Sequence, residues 1–376
     1  MKRRVIYFAG FFLTFSAALS YYANSSFLAN VVGEERIGLV YFVISLGSLI
    51  VIGLTPRLIK WLGLKTLTRL GGLILTLAYL GLALGRLPGI QLAAFFLVYN
   101  AAVALSFWLD LCLESLSRDG ETGRIRGGYL TVINAAVLIS PLISTNLLGE
   151  GEDFSRLYRL CFLATLPLLF LLWFKLKPAK LSGGGHSLWQ KLLNPNLRRV
   201  LLVDLWLNLF YFIMVVYMPI HLHEKIGLSW ESIGLVFTIM LIPFVVIEYP
   251  LGWLADRRLG EKEALTAGII LTGIATVAIF FINSATVALW AALLFATRLG
   301  ASAWEAMKET YLFKHVAAGD VSTIGLSRLN VPMAYFLGSI STFFLLRVAT
   351  THTLFLVLGL FVLTGLAFSL RLADTK

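Results

Sequence analysis

The sequence predicts an all-α membrane protein: twelve transmembrane helices in two pseudo-symmetric six-helix bundles. Three observations predict it. Of the 376 residues 59% are hydrophobic, and the mean hydropathy is +0.85, whereas soluble domains sit near about 45–50% apolar. Basic residues gather on alternate turns between the apolar runs. One basic, glycine-rich segment separates two sets of six runs.

A transmembrane helix needs about 20 mostly apolar residues to cross the hydrocarbon core. Runs that fit fall at 5–30, 36–55, 66–85, 90–114, 126–148 and 157–176 in the first half. In the second half they fall at 199–221, 230–254, 264–283, 286–310, 322–346 and 351–371. The opening "MKRRVIYFAGFFLTFSAALSYY" has the basic start of a signal peptide. Its apolar run is too long for a signal core and many spans follow, so it reads as a retained first span. The segment 175–199, "KLKPAKLSGGGHSLWQKLLNPNLRR", carries Pro178, three consecutive glycines and six basic residues. Such Gly/Ser composition makes a flexible linker. The expected organisation is therefore a first bundle over 1–177, a linker over 178–196 and a second bundle over 197–376.

An even number of spans puts both termini on one side, and charge decides which. The face with the termini collects 24 basic residues, the opposite face six, and Arg298 alone lies inside a span. Both termini are thus expected in the cytoplasm, with the plasma (inner) membrane as host. The net charge of +11 follows from this asymmetry and calls for no nucleic acid. Cys112 and Cys161 lie in apolar runs and read as small buried hydrophobes, neither a disulfide nor a metal site.

The halves read as repeats. Gly63 after the second span aligns with Gly260 after the eighth, and Asp119 after the fourth aligns with Asp320 after the tenth. Each aspartate has a threonine three residues on, Thr122 and Thr323. An aspartate at such a place can cap the following helix.

Charge is densest at "YPLGWLADRRLGEKE", 249–263. This turn resembles the signature of the major facilitator superfamily, Gly-x-Leu-Ala-Asp-Arg-x-Gly-Arg-Lys. Gly252, Leu254, Ala255, Asp256, Arg257, Gly260 and Lys262 fit it. One residue is inserted, and Glu261 stands where a basic residue is usual. The first-half copy keeps Pro56, Gly63 and Lys65 and has no aspartate. The resemblance implies a secondary transporter in which two bundles rock about a central site lined by spans 1, 4, 7 and 10. It also implies a cytoplasmic gate at Gly252, Asp256, Arg257, Gly260 and Lys262. Their partner would be the start of the fifth span, a helix N-terminus with Arg124 and Arg126, and Asp119 before it counts among the gate residues. A carboxylate at a helix N-terminus contributes about 0.3–1 kcal/mol, a size suited to a contact that must also break.

Intramembrane charge is costly and usually functional. On span 4, Asn100, Phe107, Asp110 and Glu114 share one stripe, and on span 10 Arg298, Ser302, Glu305 and Glu309 do. Asp204 and Asn208 start span 7, and Tyr21 and Asn24 sit in span 1. Arg298 is the deepest charge, about 18 Å from either end of its helix at 1.5 Å per residue. The candidate substrate or coupling residues are therefore Arg298, Glu305, Asp110, Asn100, Asn208, Asp204, Tyr21 and Asn24. An anionic or zwitterionic solute would suit Arg298, and a permanent Arg298–Glu305 bridge is the structural alternative. Glu114 and Glu309 read as partners for basic residues at the span ends. In "HLHEK", 221–225, two histidines two apart do not share a helix face, which argues against a metal.

The expected function is secondary active transport of a small solute by alternating access, coupled to a proton or ion gradient. The expected partners are the solute, membrane lipid and H⁺ or Na⁺, and the protein is expected to be a monomer that needs no cofactor. Two other classes compete. One is a non-transporting sensor on the same fold. The other is a membrane-embedded lipid-phosphate enzyme, disfavoured because the chain has one intramembrane basic residue and no Asp-x-x-x-Asp, and the lack of a nucleotide motif argues against ATP-driven transport.

Overall fold

The computed structural model describes residues 3–115, 122–148, 153–177, 194–247, 261–315 and 321–373, and among them there is no β-strand. Ten helices are long and apolar enough to cross a membrane. The shorter apolar helix Trp230–Val246 and the 25-residue helix Val321–Leu345 bring the number of spans to twelve. The protein is an integral, multi-pass membrane protein.

Contacts divide the chain into two compact units, Met1–Gly183 and Gly184–Lys376. In the first unit, span 1 is Arg3–Tyr21 followed by Asn24–Val32, and spans 2 and 3 are Ile37–Leu62 and Leu64–Leu84. Spans 4, 5 and 6 are Pro88–Glu114, Thr122–Leu148 and Phe154–Phe170, the last extended by a π turn, Leu171–Lys175. In the second unit, span 7 is Pro195–Ile220 with its own π turn, His221–Lys225, and spans 8 and 9 are Trp230–Val246 and Glu261–Ile279. Spans 10 and 11 are Val287–His315 and Val321–Leu345, and span 12 is Thr351–Thr364 continued by Leu366–Ser369.

Local chemistry sets several of these ends. Asn194 accepts hydrogen bonds from the Asn196 and Leu197 amides ahead of Pro195 at the first helical position. Ser229 and Thr350 cap spans 8 and 12 in the same way. Gly63 joins spans 2 and 3 at φ +75°, a left-handed conformation that a side chain would strain.

The two units use one packing plan. In the first, span 1 packs on spans 4, 5 and 6, span 3 on spans 4 and 6, and span 2 on span 4. In the second, span 7 packs on spans 10, 11 and 12, span 9 on spans 10 and 12, and span 8 on span 10. Adding six to each number in the first set gives the second. The repeat expected from two short turns is thus a repeat of helix packing.

Within the second unit spans 9 and 10 approach each other closely. A Cβ on Gly268 would lie 2.7 Å from the Gly300 carbonyl oxygen, and one on Gly300 would lie 2.5 Å from Thr272 Oγ1. Small residues let backbones meet in this way in membrane helices. The turn joining the two helices is closed by Trp290 Nε1, which donates to the Ser284 carbonyl at 2.8 Å.

Candidate functional site

Span 10 carries four charges on one side: Arg298, Glu305, Lys308 and Glu309. Arg298 is only 2% exposed. Its Nε and Nη1 have no hydrogen-bond partner, and among the described residues it makes no ion pair. Its guanidinium lies instead over two rings of span 7, 5.1 Å from the Phe210 centroid and 5.3 Å from that of Tyr211. Cation–π contact offsets part of the desolvation cost and leaves the donors unused. Buried polar groups are nearly always bonded, so free guanidinium donors ask for an explanation.

Glu305 is half-buried two turns further along. Its hydrogen bond comes from Tyr211, whose Oη donates to Oε2 at 2.7 Å. The Arg298–Glu305 bridge considered from the sequence is therefore absent. Tyr211 stands between the two, with its ring toward the guanidinium and its hydroxyl toward the carboxylate.

Lys308 takes a different partner. The charge count assigns it to an aqueous end, but it is 7% exposed and ion-paired with Asp204 of span 7. Glu309 Oε1 is 3.5 Å from the same ammonium. Asp204 also accepts from Asn208 Nδ2 at 3.0 Å, Asn330 Nδ2 at 2.8 Å and Ser327 Oγ at 3.3 Å. Asn208 and Asp204 thus belong to a satisfied polar knot that ties spans 7, 10 and 11. Every acceptor site of this carboxylate is taken, which suits a structural role.

The candidates of the first unit are placed as follows. Asn100 accepts from Ser48 Oγ at 3.0 Å and donates to the Phe96 carbonyl at 2.8 Å, so it joins spans 2 and 4. Asn24 accepts from Tyr158 Oη at 3.0 Å. Asp110 is 8% exposed, while Tyr21 is 37% exposed. Tyr22 and Ala23 interrupt span 1 beside these residues. Of the gate residues, Gly252, Asp256, Arg257, Gly260 and Asp119 lie outside the described residues, as does the Arg126 side chain. Lys262 is described, half-buried in the first turn of span 9.

The histidines of "HLHEK" diverge. His221 is fully buried, its ring beside those of His352, Trp290 and Phe355. His223 turns to the Leu228 carbonyl and the Trp230 ring. Among the described residues no group of three or more metal-ligating side chains forms.

Sequence reasoning missed Tyr211 and the Asp204–Lys308 pair. Asp204, Asn208 and Tyr211 are spaced four and three apart, one stripe of span 7, and that spacing was the available signal.

The family model of the Major Facilitator Superfamily matches residues 112–324, more than half of the chain. The protein belongs to the major facilitator superfamily. As a major facilitator protein it falls in a class of secondary transporters that move small solutes. A solved structure titled "Crystal structure of auto inhibited POT family peptide transporter" is 12% identical and has a TM-score of 0.77. The match covers 100% of this chain and 98% of that one. At that identity the likeness establishes the fold: twelve helices on the major facilitator plan. No curated protein matches this major facilitator chain.

Proposed function

We propose that this protein carries a small anionic or zwitterionic solute across the plasma (inner) membrane by alternating access, coupled to a proton or ion gradient. Both termini face the cytoplasm in this reading, and the two bundles, 1–177 and 197–376, move about the solute as a monomer. The observation that carries it is Arg298: a guanidinium 2% exposed, held on two aromatic rings, with Nε and Nη1 donors that no described residue uses. Arginine recognises carboxylate and phosphate through paired donors that lysine cannot reproduce. A guanidinium permanently neutralised by a carboxylate would be a poor receptor, and Arg298 has no such partner among the described residues. Short peptides, which carry a free carboxylate, join organic acids and amino acids as the first solutes to try.

The test uses purified protein in sealed lipid vesicles without ATP or metal. Radiolabelled amino acids, dipeptides, organic acids and phosphate are offered under an imposed proton or sodium gradient. Gradient-dependent accumulation of one solute class, lost in Arg298→Gln and Arg298→Lys, supports the reading. Accumulation that survives both substitutions removes Arg298 from the site. Hydrolysis or transfer of a lipid phosphate without transport would favour the enzyme alternative. Binding without any movement of solute would favour a sensor.

A further inference from the structure

We propose that Tyr211 couples solute binding at Arg298 to protonation of Glu305, so that this unit takes an anionic group and a proton together. The inference rests on the reading of Arg298 as the solute-binding cation and adds the coupling group and its link.

Three carboxylates lie near Lys308, and two of them use it. Asp204 is ion-paired with it, and Glu309 is 3.5 Å from it. Glu305 is different: its hydrogen bond is from a neutral phenol, and no described cation lies within ion-pair distance of it. It is therefore the carboxylate of the cluster best able to give up its charge. Around it, span 10 contributes Lys308 and Glu309, and span 7 contributes Tyr211 and Asp204. The charged residues of the other two helices packed on span 10 lie in first turns: Glu231 in span 8, and Glu261, Lys262 and Glu263 in span 9.

Arg298 and Glu305 are seven residues apart, about 10 Å of helix rise. Tyr211 reaches across from span 7 and touches both. Its hydroxyl donates to Oε2 at 2.7 Å, and its ring centroid is 5.3 Å from the guanidinium carbon. A phenol that donates to an ionised carboxylate is polarised, with density pushed onto the ring. That ring then attracts a cation more strongly, and hydrogen-bonded groups in series reinforce each other in this way.

Protonation of Glu305 reverses the polarisation. The proton comes from water and forms one O–H bond. Tyr211 now donates to a neutral group, its ring holds the guanidinium less firmly, and the local charge becomes more positive. Each change favours an anion at Arg298. Conversely, an anion on Arg298 cancels the positive charge that favours ionised Glu305. The two effects are one coupling free energy seen from either side. Tyr211 is a positioning residue here, acting through the groups on either side of it.

The experiment is an infrared pH titration of the full-length protein in lipid, following the carbonyl stretch of protonated carboxyl groups. Loss of a band in Glu305→Gln assigns it. Arg298→Gln is expected to tighten proton binding at Glu305 about tenfold, the size of an ordinary coupling between two linked sites. In a Tyr211→Phe background the same Arg298→Gln change is expected to move it less than about threefold, which is the signature of a shared link. Arg298→Lys, which keeps the charge, serves as a second variant and is expected to titrate close to the parent. Equal effects of Arg298→Gln with and without the Tyr211 hydroxyl would overturn the role of Tyr211. A Glu305 band that ignores Arg298→Gln, or that behaves in Arg298→Lys as it does in Arg298→Gln, would overturn the coupling. Sodium benzoate is the anion probe and is expected to enlarge the band in the parent. A band that responds to Arg298→Gln and not to benzoate keeps the coupling and rejects the carboxylate solute.

Discussion

Lys308 and Asp204 form an ion pair inside the second unit although 104 residues separate them in sequence. Their side chains are 9% and 5% exposed. Breaking such a pair leaves a buried charge alone, which costs roughly 3–5 kcal/mol. Asp204→Asn is therefore expected to lower the thermal midpoint sharply. Asp204→Asn with Lys308→Met should recover most of the loss, because neither charge is then stranded. Thermal unfolding in one detergent measures both. A double variant no better than Asp204→Asn would mean that the Asn330 and Ser327 bonds, not the ion pair, hold spans 7 and 11 together.

Arg298 should behave in the opposite way. Its charge is unpaired among the described residues, so its removal strands none of their charges. Arg298→Gln is expected to keep or raise the thermal midpoint while uptake falls about tenfold to a hundredfold, the weight of one charge-assisted hydrogen bond. Stability and transport should thus move apart at position 298 and together at position 204. A large loss of stability in Arg298→Gln would mark the residue as a structural cation.

The glycines of spans 9 and 10 give a packing test. A Cβ on Gly268 would meet the Gly300 carbonyl oxygen at 2.7 Å and the Trp304 amide nitrogen at 2.9 Å. Backbone atoms cannot step aside as a side-chain tip can. Gly268→Val should therefore cost at least the roughly 1–3 kcal/mol typical of overpacking. Gly53, whose Cβ would meet nothing within 4 Å, is the control and should accept alanine without loss. Expression and thermal midpoint of both variants decide the matter.

Orientation is open to direct labelling. Single cysteines in a background lacking Cys112 and Cys161 should react from the cytoplasm at Gly184 and Gly260 and from outside at Gly151 and Ser284. Reaction of Gly184 from outside would reverse the orientation and the span count together.

The gate assigned to Asp256 has its own test. Asp256→Asn should slow transport, leave expression unchanged and raise reactivity of cytoplasm-facing cysteines. Normal transport with parental labelling would reduce the turn to a topology signal.

Span number was legible in the sequence, because it depends on a local quantity, the length of an apolar run. What stayed hidden depends on partners far along the chain. Lys308 looked like a boundary residue because three neighbours on span 10, Glu305, Glu309 and Lys314, are also charged. Only the fold brings Asp204 to it. Asn100 and Asn24 stand out in the sequence as polar residues inside a span. That they meet Ser48 and Tyr158 on other spans is visible only in the fold. The break in span 1 at Tyr22 and Ala23 has no proline or glycine to announce it. The gate motif was the most readable stretch of all, and most of it lies outside the described residues.

The seam between Gly268 and Gly300 bears on how this chain is made as well as how it works. Spans 9 and 10 are consecutive, joined by a short turn that Trp290 pins to Ser284. They form a helical hairpin whose halves pack closely on each other. A lone span 10 would bring Arg298 into lipid at a cost of about 2.5–3.5 kcal/mol on insertion scales. A hairpin entering as one body gives that helix a neighbour from the start and can turn its charged side away from the hydrocarbon. Two glycines on the face that spans 9 and 10 share would then decide whether an arginine on span 10 can be installed in the membrane at all.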